Sequence, residues 1–530
     1  MTRAHALTIG LLTAAVLSLC AQFPRHTLAE DAPRAKHPSA RELTADHSKF
    51  QALQADFKNG EAVTQACLTC HNQADTQLRK TPHWEWHIAG DASRGKGGMV
   101  VNNYCISSNK LGDQSCNDCH IGWNAKLGSV NCLNCHSQKM INWNEAFGDI
   151  SSLSQDGDES ALEIVADLRA QLLESITSIG QPSAKNCGSC HFYSGGGDRV
   201  KRGDMGSDLL TASRDLDVHL SKEGAGLSCI DCHNTRNHQV PGRKYNMSAA
   251  EEREQLGEPD FKSFLRCEAC HTTAPHKNEI LNDHFKTIAC QTCHIPLLAR
   301  QEATKVWWDW SKAGQTKDGK PFDIKDESGE KTYMSIKGEF RWEKNVLPEY
   351  AWFDGTMENH LLNEPVDPTR VVDLQWPNGR PHAPGSKIYP FKVHRGKQPW
   401  DPETKLISAP MLSGDDGYWK TLDWQRSISK GMELMELPYS GKYDFIETRF
   451  MYPSNHTVAP KEKALRCDDC HHRAGDGRGS RMAGVPGVYV AGRGDLIWLT
   501  RIAWLAIALT ALGIFCHAIF RMVVKLRRGE

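Results

Sequence analysis

The chain has 530 residues, 63 Lys+Arg against 64 Asp+Glu, 39% hydrophobic content and 19 cysteines. This length allows two to four domains, and the composition excludes wholesale disorder. A net charge of −1 excludes the broad basic field of a nucleic-acid binder.

In chain order, residues 1–29 read as a secretory signal peptide: a basic start, an apolar run over 6–21, and small residues before a cleavage point near Ala29. Cys20 lies in that run, where lipidation is a lesser alternative because Leu19 precedes it. Residues 30–472 follow as one large body. Within it the pattern Cys-x-x-Cys-His occurs eight times. The first four blocks are Cys67/Cys70/His71, Cys116/Cys119/His120, Cys132/Cys135/His136 and Cys187/Cys190/His191. The others are Cys229/Cys232/His233, Cys267/Cys270/His271, Cys290/Cys293/His294 and Cys467/Cys470/His471. Two thiols at this spacing form thioethers to the two vinyl groups of one haem, and the adjacent His lies under the iron. Zinc sites rarely put His directly after every second Cys, and a CxxC redox pair needs no His. The expected cofactors are therefore eight covalently bound haem c groups.

Between the motifs, residues 159–179 carry Leu162, Val165, Leu168, Leu172 and Ile176 at helical spacing, with Gly180 and Pro182 as a stop. Residues 248–251 read as a capping box. Trp307, Trp308 and Trp310 read as packing. Residues 331–354 are aromatic and β-branched and suggest one short hairpin. The expected fold class is mainly α, with haems forming much of the core, long loops, little β and a single C-terminal transmembrane helix. Residues 473–497, rich in Gly and Arg, are expected as a flexible linker. Residues 498–521 are expected to span a membrane: the apolar run 502–520 is about 28 Å long as a helix. Trp498 and Trp504 sit at its outer end, and Arg521, Lys525, Arg527 and Arg528 follow or close it, so residues 522–530 form a cytoplasmic basic tail. Export and anchor together imply a periplasmic body held to the bacterial cytoplasmic membrane.

Sixteen cysteines fall in motifs. Cys20 and Cys516 lie in the two apolar runs, which leaves Cys105 as the one unassigned thiol of the body. The 24 histidines supply eight motif ligands and enough others for the distal sides of all eight irons. An iron with two protein ligands transfers electrons, and one with a weak sixth ligand can bind substrate.

The motif series resembles the octahaem tetrathionate reductase family, relatives of hydroxylamine oxidoreductase and the multihaem nitrite reductases. The likeness is carried by TPHWEW at 81–86, NNYC at 102–105, GGGDRVKRGD at 195–204, YPFKVH at 389–394 and VAPKEK at 458–463. It covers roughly residues 43–472. The resemblance implies that the second haem, at Cys116, Cys119 and His120, is catalytic, with Lys201 as its distal ligand and Asp198 and Cys105 in its pocket. From the residues alone, Asp198 and Lys201 read as solvated loop charges and Cys105 as a buried thiol. The expected distal ligands elsewhere are His83, His219, His238, His276, His284, His394 and His456. His87 competes with His83 and His382 with His394, while His47 and His472 stay open. The expected activity is multi-electron reduction of a small inorganic substrate (tetrathionate, nitrite or hydroxylamine), fed by a membrane quinol-oxidising partner or another cytochrome. The alternative is a non-catalytic electron conduit between the quinone pool and periplasmic redox proteins.

Overall fold

The computed structural model describes residues 45–85, 99–104, 106, 121–123, 128–155, 158–242, 265–472, 480–490 and 497–529. The signal peptide, Cys20, Cys105, the whole second motif, His87 and the capping box at 248–251 lie outside the described residues.

From residue 45 to His294 the regular elements are helices, most of them short. The longest is Glu159–Thr177. Its Val165, Leu172 and Ile176 are buried, whereas Leu162 is 50% exposed, so the apolar stripe begins one turn later than its spacing suggests. This helix packs with Trp143–Leu153 and Gly60–Leu68 around Trp123, Leu133 and Trp143. Each indole in that cluster has a hydroxyl acceptor: Trp143 Nε1 donates to Ser175 Oγ at 2.7 Å and Trp123 Nε1 to Thr64 Oγ1 at 2.8 Å. Gly60 is required there, because a Cβ would lie 1.9 Å from the Trp123 ring.

The long motif-free stretch after His294 overturns the expectation of a mainly α fold. It forms a nine-stranded mixed sheet. The strands are β1 Thr304–Asp309, β2 Asp323–Lys325, β3 Lys331–Met334, β4 Gly338–Glu343, β5 Glu349–Phe353, β6 Met357–Asn359, β7 Val372–Pro377, β8 Lys387–Trp400 and β9 Asp444–Pro453. The order is β2-β3-β4-β1-β8-β9-β7-β6, with β5 also paired to β8. β8 is long enough to hold two partners along one edge. β5 pairs with Lys387–Phe391 antiparallel, β1 pairs with Arg395–Lys397 in parallel, and β9 covers Phe391–Trp400 on the other edge.

The physical reason that this sheet escaped sequence reading lies in β8 itself. Its residues are buried on both faces, and they include Lys392, His394 and Gln398. A strand covered on both sides shows no alternation of polar and apolar residues. Pro390 and Pro399 further disguise it. The sheet carries the largest hydrophobic core, around Leu374, Phe391, Ile407 and Ile428. Trp308 and Trp310 are each 1% exposed and stack at 4.8 Å within it.

The seventh motif docks directly on this sheet. Thr292 Oγ1 donates to Ile388 O at 2.8 Å, and Ala289 N donates to the same carbonyl at 3.0 Å. At the other end of the chain, Ile497–Arg527 is one continuous helix, apolar and long enough to cross a membrane over Arg501–Arg527, with none of it buried. It contains Cys516 and His517.

Candidate metal centres and active site

Each described motif closes one helical turn. His71, His233, His271 and His471 donate their backbone N–H to the carbonyl of the first motif cysteine at 2.7–2.9 Å. That turn sets the two thiols on one side with the imidazole beside them. The fifth motif is pinned further by Ser228 N donating to Asp231 Oδ2 at 2.7 Å. No described cysteine is in a disulfide.

The attachment thiols differ in how far the protein chain covers them. Cys70, Cys270 and Cys467 are exposed, whereas the other described motif cysteines are half-buried. Cys70 sits at the end of the helix Gly60–Leu68, where the chain turns out to the surface, and its Sγ accepts from Thr69 Oγ1 at 3.9 Å.

Seven motif histidines each face a second imidazole. Ring centroids are 6.2 Å apart for His71 and His47, 6.4 Å for His136 and His238, and 6.2 Å for His191 and His83. They are 6.4 Å for His233 and His456, 6.0 Å for His271 and His219, 6.1 Å for His294 and His276, and 6.0 Å for His471 and His284. A metal–imidazole bond is about 2 Å, so two imidazoles on opposite sides of one iron have centroids roughly 6 Å apart. The observed separations therefore fit a haem iron between each pair.

The hydrogen bonds fit as well. His136 Nδ1 donates to Gly180 O at 3.1 Å, His233 Nδ1 to Pro241 O at 2.7 Å and His284 Nδ1 to Ile280 O at 2.6 Å. His238 Nδ1 donates to Gln77 Oε1 at 2.9 Å and His276 Nδ1 to Asn282 Oδ1 at 3.2 Å. A proton fixed on Nδ1 leaves the Nε2 lone pair for a metal. His456 is oriented by Asp204, which is 2% exposed and accepts from its Nδ1 at 3.4 Å. Burial alone would raise the Asp204 pKa, but His456 and Arg202 hold it down at about 2. Burial lowers the pKa of His136, His233, His238 and His294, which favours the neutral form that ligates. His191 is lowered to about 3 by burial and then by Arg202. His83 is lowered by burial and then by His233.

Neighbouring motifs also lie within electrostatic reach of one another. The first thiols of three motif pairs lie side by side: Cys67 with Cys132, Cys187 with Cys229, and Cys267 with Cys290. The second thiols make the links between those pairs. Cys190 acts electrostatically on Cys135, Cys270 on Cys232, and Cys470 on Cys293. Among the described residues this gives a single file: first, third, fourth, fifth, sixth, seventh and eighth motifs.

The Gly-rich loop after the fourth motif presents Lys201. Gly195 has φ +88, and a Cβ there would press on Lys201 Cβ at 3.2 Å and the Tyr104 ring at 3.4 Å. The Tyr104 hydroxyl donates to Lys201 O at 3.0 Å, so the segment next to Cys105 is tied to the Lys201 loop. Lys201 Nζ and the Arg202 guanidinium lie 5.1 and 5.0 Å from the centroid of the Tyr452 ring. Lys392, 1% exposed, donates from Nζ to Val200 O at 2.7 Å and to Thr304 Oγ1 at 2.6 Å, and so fixes the backbone just before Lys201.

Asp198 faces the other way. Its Oδ1 accepts from Ser207 N at 3.0 Å, and its Oδ2 accepts from Ser207 Oγ and from Arg199 Nε at 3.2 Å. His394, expected as a distal ligand, is fully buried against Tyr104 at 4.3 Å, and neither ring nitrogen has a hydrogen-bond partner. Burial and then Lys392 push it well below the usual histidine range. His47, left open by sequence, is the residue opposite His71. Cys105 and His120 lie outside the described residues. Sequence reasoning missed Tyr104, Tyr452, Arg202, Lys392 and Asp204. Tyr104, Arg202, Asp204 and Lys392 stand inside stretches already singled out, and only their contacts distinguish them.

Comparisons with known proteins agree with this geometry. Residues 212–295 match the family of cytochrome c7 and related cytochromes c, and residues 305–474 match the family described as bacterial cytochrome c. An uncharacterized protein of Archaeoglobus fulgidus is 26% identical over 243 residues, which are 37% of this chain and 80% of that protein. The crystal structure of an octahaem cytochrome c from Shewanella oneidensis is similar to 81% of this chain over 94% of its own length, with 34% identity and a TM-score of 0.66. With several haem-attachment motifs arranged as described, the chain is a multihaem c-type cytochrome and belongs to the octahaem cytochrome c family of that crystal structure.

Proposed function

We propose that the protein carries eight covalent haems and reduces a small sulfur or nitrogen compound (tetrathionate, nitrite or hydroxylamine) at the second, Lys201-ligated haem. The observation that carries this reading is the histidine pairing. Seven motif histidines each have a second imidazole opposite, and the Lys201 backbone is tied to Tyr104, whose ring packs against buried His394. Bound there, a haem with a displaceable axial ligand supplies the iron and the electrons.

The chain's own residues supply the rest. A lysine amine must be neutral to ligate iron, and the metal's charge favours that form. Arg202 sets a cationic guanidinium beside the Tyr452 ring that Lys201 also faces, which suits an oxyanion. Tyr104 stays protonated, because burial raises its pKa well above the ordinary value, and so acts as a donor. Lys392 keeps the Lys201 backbone fixed. Asp198 braces the loop through Ser207 and Arg199. Cys105 is the thiol next to this pocket along the chain and contacts substrate in this reading. A body outside the cytoplasmic membrane, held by the C-terminal helix and fed by a quinol-oxidising partner, completes it.

The file of paired motifs favours a second reading, a membrane-held conduit with no substrate site. Spectroscopy of the holoprotein separates the two. Lys201→Leu should change the spectrum of one haem, leave seven unaltered, and abolish reductive current in protein-film voltammetry with nitrite, hydroxylamine or tetrathionate. Eight bis-histidine haems with no ligand-accessible iron would instead establish the conduit.

A further inference from the structure

The stretch before the C-terminal helix is docked, and its docking site is one end of the motif file. Met482 and Val485 are 5% and 8% exposed, packed with Trp352, Ile388 and Cys470. Trp352 Nε1 donates to Pro486 O at 2.7 Å, and His382 Nε2 donates to Gly487 O at 3.1 Å. Ser480 Oγ donates to Cys470 O at 3.1 Å, and Arg481 N donates to Asp469 O at 3.1 Å. Arg481 Nη1 reaches Pro296 O at 3.0 Å, just past the seventh motif. These contacts fasten residues 480–490 to the eighth motif itself.

From the docked Val490 to Ile497 the chain spans at most about 25 Å. The eighth motif is the last in the order of neighbouring motifs. The other end, the first motif, has no such tether among the described residues.

Resting on the membrane-anchor reading above, we propose that residues 480–490 hold the eighth motif toward the bilayer as the port through which a quinol-oxidising membrane protein delivers electrons. Each quinol oxidised to quinone releases two electrons and two protons on the donor. The electrons cross singly, each reducing one ferric iron to ferrous. The first motif's end is left for water-soluble partners.

The test uses full-length holoprotein in phospholipid vesicles, with reduced hexadecyl viologen as a membrane-confined one-electron donor and reduced methyl viologen as a soluble one. Haem reduction is followed by stopped-flow absorbance. Val485→Asp with Trp352→Ala should undock the segment, which trypsin reports as faster cleavage at Arg481. A second variant inserts twenty Gly/Ser residues after Val490 and leaves the docking contacts intact. Both should slow reduction by the lipid donor about tenfold or more, by lowering the effective concentration of the port at the bilayer, and leave methyl viologen reduction unchanged. Unchanged lipid-donor rates in both variants overturn the proposal. If alkaline carbonate strips the native protein from vesicles, the anchor reading itself fails, and the port falls with it.

Discussion

Residues 45–294 and residues 304–453 solve the same problem with different materials. In the first region, helices such as Cys229–Cys232 and Glu268–His271 are a single turn that brings a motif histidine to its partner. Its side-chain clusters, around Trp123 and around Leu78, are modest. In the second, nine strands enclose Leu374, Phe391, Met357 and Ile428, none of which shows exposed surface. One region needs its porphyrins as core, while the other makes a core from its own hydrocarbon. Stability in the first is therefore inseparable from haem attachment.

The sharpest way to break that contrast is to produce the chain without haem attachment. Amides in 45–294 should then exchange at nearly unfolded rates, while those of β8 and β9 keep protection in hydrogen-exchange mass spectrometry. Equal loss in both would erase the distinction. Next in size, Leu374→Ala removes a fully buried side chain from the sheet core and should cost about 2–5 kcal/mol in denaturant unfolding, with haem absorbance unchanged in native buffer. A smaller effect, about 1–3 kcal/mol, is expected for Lys392→Met, which leaves Val200 O without its partner. That variant should also raise KM for the reduced substrate, because Val200 precedes Lys201. Smallest in stability but specific in spectrum, His47→Ala should convert one low-spin haem to high-spin, whereas His394→Ala should leave the count of bis-histidine haems unchanged. Loss of a low-spin signal in His394→Ala would return that residue to a ligand role.

The contrast also explains what could be read in advance. A covalent bond to each vinyl group fixes motif spacing, so the sixteen attachment cysteines and their histidines stand out in one dimension. Second imidazoles obey no such spacing: His47 and His456 come from opposite ends of the body, and only the fold sets them against His71 and His233. The sheet was hidden for a related reason. β8 buries Lys392, His394 and Gln398 beside Phe391 and Val393, so tertiary contacts rather than alternation decide its burial. The helix Glu159–Thr177, with one solvated face, announced itself by period alone. The polar wall near Lys201 was invisible because Tyr452, on β9, joins it only after the sheet has formed.

The pairing of His233 with His456 sets a timetable for biogenesis. The fifth motif emerges well before the sheet, yet its second imidazole lies beyond β9. During maturation that motif must wait for its second imidazole until nearly the whole body is available. The third and fourth motifs wait less, since His238 follows His136 at moderate distance and His83 precedes His191. Closure of the fifth pair is thus the event that staples the early half of the molecule to the late half, and a chain truncated before His456 would be left both unfinished and chemically exposed at its centre.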